Sequence, residues 1–418
     1  MTLHAPADCP DGAALARYIP SDGLVLLSGC SADSSVLDAA IVAAGDAISR
    51  TWFSGIFVPG YNKCRWLANP HARALSFFMT PEQRAVDAAR VDFRALRYAD
   101  ILSFLKVSRP SAILCMVSPP NAQGMCSFGT TVDFLADLWR SVPIRIAHIN
   151  PMMPRTNGDP GIPLSELTAW CEAPVPLLAQ EEGPADSVAA AIAEHILPLI
   201  PNGASIQTGL GKIPGSVLRG LTSHRDLRIH SGLIGDAVVD LLEAGALRPV
   251  SPVSAGVAIG SDRLYRAISS DDFSFWPVSS THALDAFNDG GAPIAINSVI
   301  EVDLFGQGYA ELTPKGFMSG PGGAIDFAHS VRVAQGVRIV ALPSTAGGGT
   351  VSRIVPAGSG MGPVSLSRSE IDIVVTEHGA ADLRYLSHEQ RSRALVSIAH
   401  PDHRDDLERS WEVTSRSL

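Results

Sequence analysis

Short apolar runs alternate with amphipathic helical stretches along most of the chain, and this alternation limits the fold more than any other feature. Leu24-Val-Leu-Leu-Ser28, Ala112-Ile-Leu-Cys-Met-Val117, Ile144-Arg-Ile-Ala-His-Ile149, Ser205-Ile-Gln207, Ile294-Ala-Ile-Asn297, Arg338-Ile-Val-Ala-Leu342 and Ile371-Asp-Ile-Val-Val375 read as strands. Strands spaced by helices predict an α/β architecture with a largely parallel sheet. The 418 residues exceed one ordinary core and imply two domains. Proline, glycine and acidic residues interrupt the pattern over Pro174-Val-Pro-Leu-Leu-Ala-Gln-Glu-Glu-Gly-Pro184, which predicts domains at 1–184 and 185–418.

Charge and composition remove several function classes. The formal net charge of -10 argues against a nucleic-acid partner, whose phosphates require a basic face. The start, Met1-Thr-Leu-His-Ala-Pro-Ala-Asp-Cys-Pro10, lacks the basic and apolar parts of a signal peptide, and no run is long enough to span a membrane. A cytoplasmic protein is the expectation. The six cysteines, Cys9, Cys30, Cys64, Cys115, Cys126 and Cys171, show no C-x-x-C spacing, so reduced thiols are expected, with no metal or redox cofactor.

Three glycine clusters could carry chemistry. Gly209-Leu-Gly-Lys-Ile-Pro214 follows a short strand and precedes a helix expected over Gly215-Ser-Val-Leu-Arg-Gly-Leu221, so its N–H groups could face an anion. It is not a P-loop, because Ile213 and Pro214 follow Lys212; a ligand-free turn is the other reading. Ser319-Gly-Pro-Gly-Gly323 could aim N–H groups at an oxyanion or form a hairpin turn. Ala341-Leu-Pro-Ser-Thr-Ala-Gly-Gly-Gly-Thr-Val-Ser-Arg353 could contact a phosphate or cap a sheet edge.

Together the clusters and their order resemble the acetyl-CoA hydrolase/transferase family of class I CoA-transferases, which includes 4-hydroxybutyrate CoA-transferase. The resemblance runs from Val117-Ser-Pro-Pro-Asn-Ala-Gln-Gly-Met-Cys-Ser-Phe-Gly129 and Met153-Pro-Arg-Thr-Asn-Gly-Asp159 through Gly260-Ser-Asp-Arg-Leu-Tyr265, Ile296-Asn-Ser-Val-Ile-Glu-Val-Asp-Leu304 and Val375-Thr-Glu-His-Gly379 to Ile398-Ala-His-Pro-Asp-His-Arg404. It implies two related open α/β domains of CoA-transferase type, a homodimer, and acyl-CoA as substrate together with a small-molecule acceptor. By resemblance, Gly209, Leu210, Gly211, Lys212, Ile213, Ile300, Gly320, Gly323 and Ala346 contact CoA, while Gly320, Gly322 and Gly323 line the oxyanion side.

The family carries a glutamate at the position of Gly232, within Ile229-His-Ser-Gly-Leu-Ile-Gly-Asp236. That carboxylate attacks the acyl-CoA carbonyl and then becomes a glutamyl-CoA thioester, a covalent route closed to glycine. The apolar stripe Ile234, Ala237, Val238, Leu241, Leu242 predicts a helix with Gly232 at its start, just after a strand ending at His230. The missing side chain is expected to leave space beside the thioester carbonyl. Asp236, Glu301 and Glu377 are carboxylates that could substitute, each with a structural reading as a helix-face, strand-end or sheet-end group. His230, His282 and His378 could activate water or another nucleophile, or could be structural. His378 replaces a tyrosine usual in the family, and Trp276 a histidine; Cys126 reads as packing. The reading that follows is thioester cleavage or direct acyl transfer without a glutamyl intermediate. Its alternatives are CoA transfer with a relocated nucleophile and a non-catalytic acyl-CoA binder.

Overall fold

The computed structural model describes residues 6–180, 183, 186–287 and 291–417. Two compact units form: Met1–Glu181 with Pro252–Thr281, and Glu182–Ser251 with His282–Leu418. The expected boundary at 184 and 185 lies outside the described residues. The inclusion of 252–281 in the first unit has a backbone cause. Val132 N–H donates to the Gly256 carbonyl, Ala258 N–H to Thr130, and Phe275 N–H to Asn157. No local composition signals such long-range pairing.

The first unit is built on eight strands, β1 (Ala7–Asp8), β2 (Asp22–Leu27), β3 (Arg50–Gly55), β4 (Arg73–Ser76), β5 (Val91–Phe93), β6 (Ala112–Val117), β7 (Ile144–Ile149) and β8 (Ala169–Glu172). They lie in the order β1-β8-β7-β6-β2-β3-β4-β5, and every neighbouring pair is parallel. All six residues of β6 are buried, as a central parallel strand covered on both faces requires.

The second unit carries the helix α1 (Ser187–Ile196) and the strands β9 (Ala204–Thr208), β10 (Arg228–Ile234), β11 (Ala292–Ser298), β12 (Val337–Ala341), β13 (Ile373–Thr376) and β14 (Gly379–Asp382). Their order is β10-β9-β11-β12-β13-β14; the first five are parallel and β14 returns antiparallel through a tight hairpin. Because the five run the same way, their carboxyl ends share one sheet edge, where ligands of open α/β sheets bind. The Gly209 turn, Gly232, Ile300, the loop after Ala341 and Glu377 all belong to that edge. Among the described residues, no helix is long and apolar enough to cross a membrane.

Candidate active site

Gly232 does not stand at the start of a helix as its sequence context predicts. β10 continues through it to Ile234, and the helix α3 spans Ala237–Glu243. The apolar pattern misleads because Ile234 is buried equally well as the last strand residue. Ser231 Oγ donates to the Thr208 carbonyl at 2.6 Å, so Gly232 follows where the Gly209 turn leaves the neighbouring strand.

The expected space beside Gly232 is filled. A β-carbon at that position would lie 2.7 Å from Cε1 and 2.9 Å from Nε2 of His282. The same ring bars a side chain at Gly323, where a β-carbon would approach Nε2 to 2.6 Å. Phe327 packs against the imidazole, with ring centroids 4.6 Å apart, and its edge would itself lie 3.4 Å from a β-carbon at Gly232 and 3.3 Å from one at Gly323. Neither glycine has a left-handed φ, so side-chain crowding, chiefly by His282 with Phe327 beside it, rather than the backbone disfavours a side chain at both. His282 is buried, and burial followed by the neighbouring His230 pushes its pKa down to about 3. The ring is therefore neutral at physiological pH. His230, half-buried in β10, packs edge-on against Phe287 at 5.1 Å.

Gly323 also caps the helix α4 (Ala324–Val333), and Gly322 before it adopts φ +62. The cluster leads into a helix rather than a hairpin, so N–H groups without intrahelical partners gather near the His282 ring. Gly320 and Gly322 are buried.

The Gly209 cluster forms the strand, turn and helix that its sequence predicts, but the helix begins earlier. α2 spans Lys212–Gly220 and takes Pro214 into its first turn, where the missing N–H costs no helical hydrogen bond. Gly211 turns the chain at φ +123. Beside it lies a cavity of about 430 Å3 lined by Leu210, Gly211, Lys212, Ile213, Ser298 and Pro343 among others. Lys212 Nζ lies 3.0 Å from Asp186, a mostly exposed pair at the rim.

The third loop returns through a short hairpin in which Thr345–Ala346 pairs with Val351–Ser352, and Gly347, Gly348 and Gly349 have positive φ. Arg353 does not project from it as a free cation: its Nη1 donates to the Ile300 carbonyl at 2.8 Å. Glu377 accepts from Ser344 N–H at 2.8 Å and Ser344 Oγ at 2.6 Å, so both its oxygens are engaged. Glu301 accepts from Met361 N–H at 2.8 Å. Asp236 directly precedes α3.

His378 belongs to the hairpin between β13 and β14, four strand positions from β10, or roughly 19 Å along the sheet edge. Its ring meets His400, centroids 5.4 Å apart, and burial lowers its pKa. The three histidine candidates are therefore two groups, His230 with His282, and His378 apart. Trp276 lies in the first unit and is partly exposed. Cys126 is buried, and burial pushes its thiol up to about 11, away from thiolate reactivity. All six cysteines are free thiols. Among the described residues no group of three or more His, Cys, Asp or Glu side chains could hold a metal ion.

Sequence reading missed Phe327 and Ser344. Phe327 reads only as core in the apolar face of α4, and Ser344 gives no signal until the fold sets it against Glu377.

Comparison with known proteins agrees with this arrangement. A family model described as acetyl-CoA hydrolase/transferase C-terminal domain matches residues 260–411. The 4-hydroxybutyrate coenzyme A transferase of Clostridium kluyveri is 36% identical over 338 residues, covering 77% of this chain and 78% of the relative. The solved structure of RipA from Yersinia pestis superposes with a TM-score of 0.88 at 25% identity, covering 98% of both chains. That of 4-hydroxybutyrate CoA-transferase from Porphyromonas gingivalis gives 0.81 at 27% identity, also over 98% of both. With two α/β units, a parallel-sheet edge lined by glycine loops and relatives of this similarity, the chain belongs to the acetyl-CoA hydrolase/transferase family of CoA-transferase-fold enzymes.

Proposed function

We propose that the protein binds acyl-CoA and cleaves its thioester, or passes the acyl group directly to a small-molecule acceptor, without a glutamyl-CoA intermediate. The observation that carries this reading is the His282 ring in the volume that a side chain at position 232 would enter. A relocated carboxylate fits less well, because Glu377 and Glu301 are engaged by Ser344 and Met361.

In this reading Gly209 to Ile213, Ile300, Gly320, Gly323 and Ala346 contact CoA, and Gly322 and Gly323 face the carbonyl oxygen. Water or an acceptor hydroxyl, amine or carbon nucleophile adds to the carbonyl. The tetrahedral oxyanion is held by N–H groups at the start of α4, where each donor contributes about 2.7–4 kcal/mol to the transition state. Collapse re-forms the carbonyl and expels the CoA thiolate, which receives the proton released by the attacking group. A cytoplasmic homodimer is part of the proposal, and light scattering on the purified protein tests the assembly.

Incubation with a panel of acyl-CoAs, with and without acetate, amines and alcohols, followed by mass spectrometry, tests the reaction. Free CoA released without a carboxylate acceptor is the expected result. Acetate-dependent exchange through a borohydride-reducible enzyme adduct would overturn it, and CoA binding without turnover would favour a non-catalytic binder.

A further inference from the structure

Gly232 and Gly323 are 91 positions apart in the sequence, yet one buried imidazole stands against both bare α-carbons. Neither glycine is needed for its backbone conformation, since neither adopts a left-handed φ. The ring cannot easily step aside, because Phe327 is itself buried and packed against it at 4.6 Å. Gly232, His282 and Gly323 therefore behave as one packing unit, in which the absence of two side chains and the presence of a third depend on each other.

We propose that His282 is a specificity-determining residue that closes the covalent route by occupying the nucleophile's volume, with Gly232 and Gly323 as its steric complement. This rests on the proposed function for its chemical meaning but not for its packing. Restoring a carboxylate at position 232 is then insufficient, because the carboxylate has nowhere to stand while the ring remains. Removing the ring and adding the carboxylate together reopens the route. The introduced carboxylate attacks the acyl-CoA carbonyl and expels CoA thiolate. The thiolate attacks the resulting anhydride at the enzyme carbonyl, releasing the acyl carboxylate and leaving a glutamyl-CoA thioester. Borohydride delivers one hydride to that thioester, expelling CoA thiolate and leaving an aldehyde, and a second hydride with a proton from water turns the aldehyde into an alcohol.

The test is a pair of double-mutant cycles on the full chain. In the first, Gly232→Ala lowers the melting temperature, and adding His282→Ala raises it again relative to Gly232→Ala alone. This cycle needs no turnover, so it stands whatever reaction the enzyme performs. In the second, Gly232→Glu, His282→Ala and the Gly232→Glu/His282→Ala double variant are incubated with acetyl-CoA and other short acyl-CoAs, reduced with borohydride and measured by intact mass. The reduced adduct is expected in the double variant alone. Additive melting shifts in the first cycle would overturn the proposal. So would an adduct in Gly232→Glu matching that of the double variant, or a folded, CoA-binding double variant with no adduct. An adduct in the unaltered enzyme would instead sink the proposed function.

Discussion

Nε2 of His282 lies 2.6 Å from the point where a β-carbon on Gly323 would stand, although Gly323 has the ordinary backbone of a residue starting a helix. Gly323→Ala is accordingly expected to cost about 1–3 kcal/mol by overpacking, measured by urea unfolding. The same change is expected to slow thioester cleavage, because α4 begins at this residue and its first N–H groups shift with it. Unchanged stability would mean that the ring moves freely.

His282 contributes a component of stability that is lost in acid. Its pKa falls from 6.5 to about 3 in the folded protein, mainly through burial. A lowered folded-state value means that the stabilising contribution is complete above about pH 6.5 and is lost as pH falls toward 3, because the unfolded chain binds the proton first. Between pH 7 and pH 5 the melting temperature of His282→Gln is expected to rise relative to that of the parent. Parallel curves for the two proteins would exclude His282 as the cause.

On the alkaline side Asp38, raised to about 8 mainly by burial, acts together with Asp133 in the first unit. Burial, with the neighbouring charge of Asp137, raises the pKa of Asp133 from 3.8 to about 8. A raised folded-state value makes its stabilising contribution complete below about pH 4 and lost as pH rises through about 8. Asp133→Asn keeps the shape and tolerates the positive φ of +37 at this residue. The variant is expected to lose less stability than the parent between pH 5 and pH 8 in denaturant titrations.

Gly209 and Gly211 separate backbone from steric requirements in one turn. A β-carbon at either position meets nothing within 4 Å, but only Gly211 has a positive φ, at +123. Gly211→Ala should destabilise by about 1 kcal/mol or more, and Gly209→Ala by less. If the turn holds CoA, isothermal titration should show the larger loss of affinity in Gly211→Ala as well.

Glu377 offers a direct check on the relocated-nucleophile alternative. Glu377→Gln removes the charge that receives two hydrogen bonds from Ser344 and is expected to destabilise by about 1–3 kcal/mol. Thioester cleavage is expected to persist in the folded variant; its abolition with CoA binding intact would identify Glu377 as the nucleophile.

Much of this was legible in the chain itself. The apolar runs at Ala112 and Ile294 are parallel strands, and the Gly209 turn joins a strand to a helix, because local periodicity and glycine chemistry act over a few residues. What periodicity could not give was the strand through Gly232, since a buried Ile234 satisfies helix and strand patterns alike. Nor could it give the meeting of residues 232, 282 and 323, which only the sheet edge brings together. The transfer of 252–281 into the first unit was hidden for the same reason: its partners at 130–158 are distant in sequence.

A ring seated against two glycines has a consequence for the paths open to this sequence. Any single change that introduces a side chain at 232 while His282 remains must pass through an overpacked protein, and any single loss of the ring leaves a hole beside Phe327. The triad thus works as a ratchet: each one-step change is uphill, and a side chain at 232 is accommodated only by a coordinated step.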